Sequence, residues 1–239
     1  MPNAAGRLKN AVEIPVSELG WRTHHRLVAS QLPTVSLFDE YVDADLLQAA
    51  FEIEGRTNPR LRVQAGNLAL VNPDDLLLGP GTTPVMAAFT HIGRSSRFTD
   101  GSFGIYYAAN SIETAVAEVK FHRERFMSCT SEPATNLTLR SYRGTIRKPL
   151  VDIRDAKYHR YWQPGLDTYT RCQKLGFELK NENRWGLVYP SVRNSGGQCI
   201  ALLRPPATSI PRQGLHYSFH WNGQSIDQIY EIRQWKPAR

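Results

Sequence analysis

The sequence predicts an α+β fold in which a mixed or antiparallel sheet forms the core and carries flanking helices. Three observations lead there. Strand-like apolar stretches and helix-like periodicities are mixed without a steady strand–helix–strand rhythm, which argues against a doubly wound parallel sheet. Neither a GxGxxG run after a strand nor a Walker A loop occurs, so the two usual nucleotide-fold motifs are missing. Near the end of the chain, Asn222-Gly223 separates 217–221 from 225–232, the signature of a β-hairpin with a type I′ turn.

The elements follow in order. Residues 1–20 are polar and aperiodic, and 21–39 are too irregular to assign. Residues 44–53 predict a helix, with Asp43 available as a cap and Leu46, Leu47, Ala50 and Phe51 on one face. Gly79-Pro-Gly-Thr-Thr-Pro84 reads as a loop and as the seam between a partly helical N-terminal extension, 1–84, and a core domain, 85–239. Strands are expected at 85–89, 137–142, 150–153, 186–189 and 198–203, and a helix at 167–179.

The most informative stretch runs from Arg97 to Glu118. Between glycines, 103–109 is rich in aromatic and branched residues and reads as a strand with Phe103, Ile105, Tyr107 and Ala109 on one face and Tyr106 on the other. Asn110 then stands where an N-cap belongs, with Glu113 in capping-box position and Ile112, Ala115, Val116 and Val119 at helical spacing. Glu118 falls on the flank of that apolar stripe, one turn before His122. An arginine, an aromatic ring and a carboxylate are thus delivered by a loop, a strand and a helix. Such a trio suits a dinucleotide bearing a cationic ring: the guanidinium pairs with phosphate, the ring stacks, and the carboxylate faces positive charge developing on a sugar.

The spacing of Arg97, Tyr107 and Glu118, followed by Tyr189-Pro-Ser191-Val-Arg193 and Gly196-Gly197, resembles the RES-domain family, the toxin half of bacterial Res–Xre (ParT-like) toxin–antitoxin pairs. The likeness is specific over 89–125 and 185–204, and the opening part, with Pro33, Phe38 and Thr57-Asn-Pro-Arg-Leu-Arg62, is similar to the extension of longer members. The resemblance implies a fold akin to diphtheria-toxin-like ADP-ribosyltransferases. It implies NAD+ as substrate rather than resident cofactor, its nicotinamide–ribose bond being broken with water or phosphate as acceptor, or ADP-ribose being passed to a protein. By motif position Arg97, Tyr107, Glu118 and Ser191 carry over as the active-site set, with Ser195 as the alternative serine, and Arg193 is added as a substrate-binding residue. An Xre-like helix-turn-helix antitoxin is the implied partner, and any contact with nucleic acid belongs to that antitoxin.

Composition bounds the rest. The 239 residues can bury a sizeable core, and no run of about 18 apolar residues marks a membrane span or signal segment, so a cytoplasmic location is expected. Cys129, Cys172 and Cys199 form no CxxC, which points to reduced, buried thiols and away from a structural zinc site. The net charge of +7, with 22 of 29 cations being arginine, fits a phosphate-bearing ligand or an acidic partner. These arginines are scattered, and no nucleic-acid-binding signature accompanies them. No metal is expected: Glu118 and His122 lack a third ligand at suitable spacing, and adjacent His24 and His25 diverge on any regular element. A GxSxG elbow is missing, which argues against a serine hydrolase.

Each site residue also has an ordinary reading: surface arginine, strand-core tyrosine, helix glutamate paired with His122, turn serine. Three classes of function stay open: an NAD+-consuming toxin, an ADP-ribosyltransferase with a protein acceptor, and a non-catalytic phosphate- or nucleic-acid-binding protein. Self-association is left open.

Overall fold

A computed structural model describes residues 14–30, 68–233 and 235. Nine strands of the described residues make one mixed sheet. In chain order they are β1 (Val16–Ser17), β2 (Thr23–Ala29), β3 (Tyr106–Ala109), β4 (Thr135–Thr145), β5 (Leu150–Asp152), β6 (Gly186–Pro190), β7 (Gln198–Leu202), β8 (Arg212–Trp221) and β9 (Ile226–Ile232). They lie side by side as β1-β5-β6-β7-β3-β2-β4-β8-β9, and only β5 and β6 run parallel. Among the described residues three α-helices flank them: α1 (Thr83–Thr90), α2 (Ile112–Met127) and α3 (Tyr169–Asn181).

The strand expected over 103–109 begins only at Tyr106, and β3 together with the residues leading into it divides the core. Phe103, Ile105, Tyr107 and Ala109 share one hydrophobic cluster with Ala115 of α2, Leu175 and Leu179 of α3, and Tyr189, Cys199 and Ala201 of the neighbouring strands. Tyr106 and Ala108 point to the opposite face, where Val85, Met86 and Phe89 of α1 pack on Val188, Ile200 and Leu202. The first layer, between sheet and α2, is where the motif residues gather.

Several local readings need correction. Residues 85–89 are helical, not extended. Pro84 stands in the first turn, and Val85 and Phe89, one turn apart, are buried together; a five-residue apolar run is compatible with either period. Helix α2 is capped by Ser111, whose Oγ accepts the Thr114 N–H at 3.2 Å. Asn110 is not the cap because it still belongs to the sheet edge, exchanging bonds with Gln198 through its N–H at 2.9 Å and its Oδ1 at 2.9 Å. The terminal hairpin forms, but without a type I′ turn. Gly223 alone of its loop residues has positive φ, and Asn222 Oδ1 accepts the N–H groups of Gln224 and Ser225, an Asx-type closure. Cys129 is exposed, whereas Cys172 and Cys199 are buried free thiols.

Of the first 84 residues, the described 14–30 are woven into the sheet: β1 forms one edge, and β2, from a stretch left unassigned above, lies between β3 and β4. The helix expected at 44–53 falls outside the described residues. Among the described residues no helix is long and apolar enough to cross a membrane, and no three His, Cys, Asp or Glu side chains gather as a metal site.

Candidate active site

Arg97, Tyr107, Glu118 and Arg193 line a single cavity of about 270 Å³. They arrive from four places: the loop before β3, β3 itself, the middle of α2, and the loop between β6 and β7. Leu27, Ala109, Ala115, Val119 and Tyr189 supply apolar wall, while His25 and Arg26 of β2, His122 of α2 and Tyr169 of α3 complete the polar part.

Arg97 is 7% exposed and held on two sides. Its Nη1 donates to the Gln163 carbonyl at 2.8 Å, and its guanidinium carbon lies 4.9 Å from the centre of the Tyr169 ring. The backbone beside it is fixed by α3: Gly176 lies against Phe98 so closely that a Cβ there would overlap the Phe98 carbonyl. Tyr107 is anchored at its tip, its hydroxyl bonding Ser96 Oγ at 2.8 Å and accepting the Phe98 N–H at 3.1 Å. Burial pushes the Tyr107 phenol up to about 12, against the pull of those two bonds, so it stays neutral and its ring is a fixed surface.

Glu118 is the only carboxylate among the described lining residues. Ser191 is not itself part of the wall but donates its hydroxyl to Glu118 Oε1 at 2.6 Å, and Cys199 Sγ lies 3.7 Å from the same oxygen. Burial and then the neighbouring Glu118 charge push the Cys199 thiol well up, so it stays protonated. Arg193 also lines the cavity. Its Nη2 donates to the Pro164 carbonyl at 2.9 Å and its guanidinium sits 3.4 Å from the centre of the Phe121 ring. Ser195, the alternative serine, belongs to the same loop, but the contact with Glu118 is made by Ser191.

Cationic groups outnumber the single acid. Arg26 donates to the Tyr107 carbonyl at 2.9 Å and lies 4.4 Å from the Tyr106 ring centre; burial lowers its pKa. The ring of His122 is lowered by burial first and by Arg193, Arg97 and Arg125 next, with Glu118 pulling the other way. Burial, then Arg143, lowers His25. Both imidazoles are thereby biased toward the neutral form near neutral pH. An anionic ligand with a planar group suits these walls.

Sequence reasoning missed His25 and Arg26, which lie on the unassigned β2, and the carbonyls of Gln163 and Pro164, which no side-chain pattern reveals. Tyr189 was inside the quoted motif but carried no assigned role. His24 and His25 do diverge: His24 is fully buried on the far face, bonded to Thr208 Oγ1 at 2.6 Å.

A family model for the RES domain matches residues 77–222, more than half of the chain and all four of these elements. The chain belongs to the RES domain family. A relative of this RES protein, the uncharacterised protein y4oC of Sinorhizobium fredii (strain NBRC 101917 / NGR234), is 27% identical over an alignment of 222 residues that covers 86% of this chain and 86% of that one. Among solved structures, the M. tuberculosis MbcT–MbcA toxin–antitoxin complex is matched at 12% identity with a TM-score of 0.36, over 64% of this chain and 91% of that one.

Proposed function

We propose that this RES protein binds NAD+ in the Arg97–Tyr107–Glu118 cavity and breaks its nicotinamide–ribose bond, acting as the toxin of a toxin–antitoxin pair. The observation that carries the reading is Glu118: a lone carboxylate, held by Ser191, among cationic and aromatic walls. Membership of the family supports it. So does size, because about 270 Å³ falls near the lower end of ligand pockets, roughly 300–1,000 Å³, and suits one end of a dinucleotide.

In this mechanism the nicotinamide ring stacks on Tyr107, and Arg97 and Arg193 take the phosphates through N–H groups not engaged by Gln163 and Pro164. The bond between ribose C1′ and the ring nitrogen breaks with both electrons passing to nicotinamide. The ring leaves neutral and needs no strong general acid. Positive charge grows on the ribose as an oxocarbenium-like centre, and Glu118 stabilises it while accepting a ribose hydroxyl. Water then attacks C1′ and loses a proton to solvent, or a phosphate oxygen attacks in its place, giving ADP-ribose or its 1″-phosphate. The proposal includes an ADP-ribosyltransferase-like fold and an Xre-like helix-turn-helix antitoxin that covers the cationic cavity mouth. NAD+ in the cytoplasm is the pool it would drain.

ADP-ribosyl transfer to a protein would use the same groups and differ only in the acceptor. Incubating the purified protein with labelled NAD+, with and without phosphate and with cell extract, separates the cases. ADP-ribose, ADP-ribose 1″-phosphate or labelled protein is the respective product. Unchanged NAD+ in every arm refutes the enzymatic reading and leaves a binding protein, whereas equal turnover by Glu118→Ala refutes the role given to Glu118.

A further inference from the structure

The loop between β6 and β7 constrains the direction of one proton. Ser191 Oγ accepts the N–H of Arg193 at 3.2 Å and of Asn194 at 3.0 Å. A hydroxyl has two acceptor lone pairs and one proton to give. With both lone pairs taken by backbone, the proton has one direction left, and Glu118 Oε1 lies there at 2.6 Å.

A second contact sets where that loop sits. Asn194 Nδ2 donates to Thr114 Oγ1 at 2.8 Å, and Thr114 is one turn before Glu118 on α2. Thr114 is 1% exposed, and Gly197 presses on it: a Cβ at 197 would stand 2.5 Å from Thr114 Oγ1. The loop closes on itself through Ser191 N–H to Gly197 O at 2.8 Å and Gly197 N–H to Asn194 O at 3.0 Å. It therefore grips α2 at two points one helical turn apart, Thr114 and Glu118.

We propose that Asn194 and Thr114 are positioning residues for the reaction at Glu118. They hold the loop in the one register that makes Ser191 a donor to Oε1, which leaves Oε2 as the carboxylate oxygen that meets the substrate. Ser191 in consequence neither attacks the substrate nor takes a proton from it, because its lone pairs are committed. The inference rests on the NAD+ reading of the site.

The test is Thr114→Val, which keeps the shape of the side chain and removes Oγ1, beside Asn194→Ala and the conservative Thr114→Ser. In NAD+ turnover, Thr114→Val and Asn194→Ala are expected to lower kcat roughly 10- to 100-fold, the scale of a misplaced catalytic group, with KM within about twofold. Thr114→Ser restores most of the rate. Crystal structures of the same variants supply a readout free of turnover: in Thr114→Val and Asn194→Ala the Ser191 Oγ to Glu118 Oε1 distance should lengthen past hydrogen-bond reach. Folded Thr114→Val with an intact 2.6 Å contact, or with the wild-type kcat, overturns the positioning role. A wild-type protein inert toward NAD+ overturns the proposed function instead, and the crystallographic distance alone then decides the loop's role.

Discussion

Arg97 and Arg193 reach the cavity from different loops yet are tethered by neighbouring residues, donating to the carbonyls of Gln163 and Pro164 at 2.8 and 2.9 Å. One short segment thus sets the spacing of two guanidinium groups. Lysine keeps the charge but lacks the planar fork, so it cannot hold a carbonyl and a phosphate together in the same geometry. Arg97→Lys and Arg193→Lys are each expected to weaken NAD+ binding about tenfold, about 1.4 kcal/mol. Calorimetric titration checks this, and affinities within twofold of wild type for both variants would exclude a shared phosphate site.

Glu118→Gln preserves shape and keeps an oxygen that can accept the Ser191 proton, while removing the charge. The loss should fall on chemistry: nicotinamide release slowed by about 10²–10³, the usual scale for deleting an electrostatic stabiliser. Thermal melting should stay close to wild type. A variant that releases nicotinamide at the native rate would remove Glu118 from the mechanism.

His24 couples folding to acid. Burial, with help from Arg26 and His25, lowers its pKa from 6.5 to about 3. The folded value lies below the unfolded one, so the unfolded chain binds the proton more readily. Its contribution is intact above pH 6.5 and declines as pH falls toward 3, by at most about 1.4 kcal/mol per pH unit. Melting temperature measured at pH 7 and pH 5 should fall more for wild type than for His24→Gln. Parallel losses in the two proteins would show that other groups govern the acid response.

Gly176 sits inside α3, where alanine ordinarily favours helix by about 1 kcal/mol. Here the added methyl meets the Phe98 carbonyl. Gly176→Ala should therefore destabilise by roughly 1–3 kcal/mol, as overpacking does, and reduce activity by shifting Arg97. Urea denaturation gives the sign directly, and a stabilised variant would mean that α3 and the Arg97 loop separate freely.

What was legible in the sequence was local. Tyr107 and Glu118 could be placed because a period of two and a period of 3.6 fix facing within a few residues, and the two core clusters follow that alternation on β3. Residues 85–89 were misread because an apolar run so short has no period, although Pro84 was a usable helix-start signal. β2 was opaque for another reason. Thr23-His24-His25-Arg26 looks like surface, and only long-range partners, Thr208 for His24 and the Tyr107 carbonyl for Arg26, make those polar groups acceptable inside a sheet. The Arg97 and Arg193 tethers are backbone carbonyls, which any residue supplies.

The position of β2 bears on how this protein may be shortened. The segment matched by the family model opens at residue 77, downstream of a strand that fills the lane between β3 and β4. A fragment cut to that segment would leave two facing rows of unmatched amides and carbonyls in the middle of the sheet, not at its rim, and would strip His25 and Arg26 from the binding hollow. Strand β2 is a keystone of both the sheet and the cavity wall.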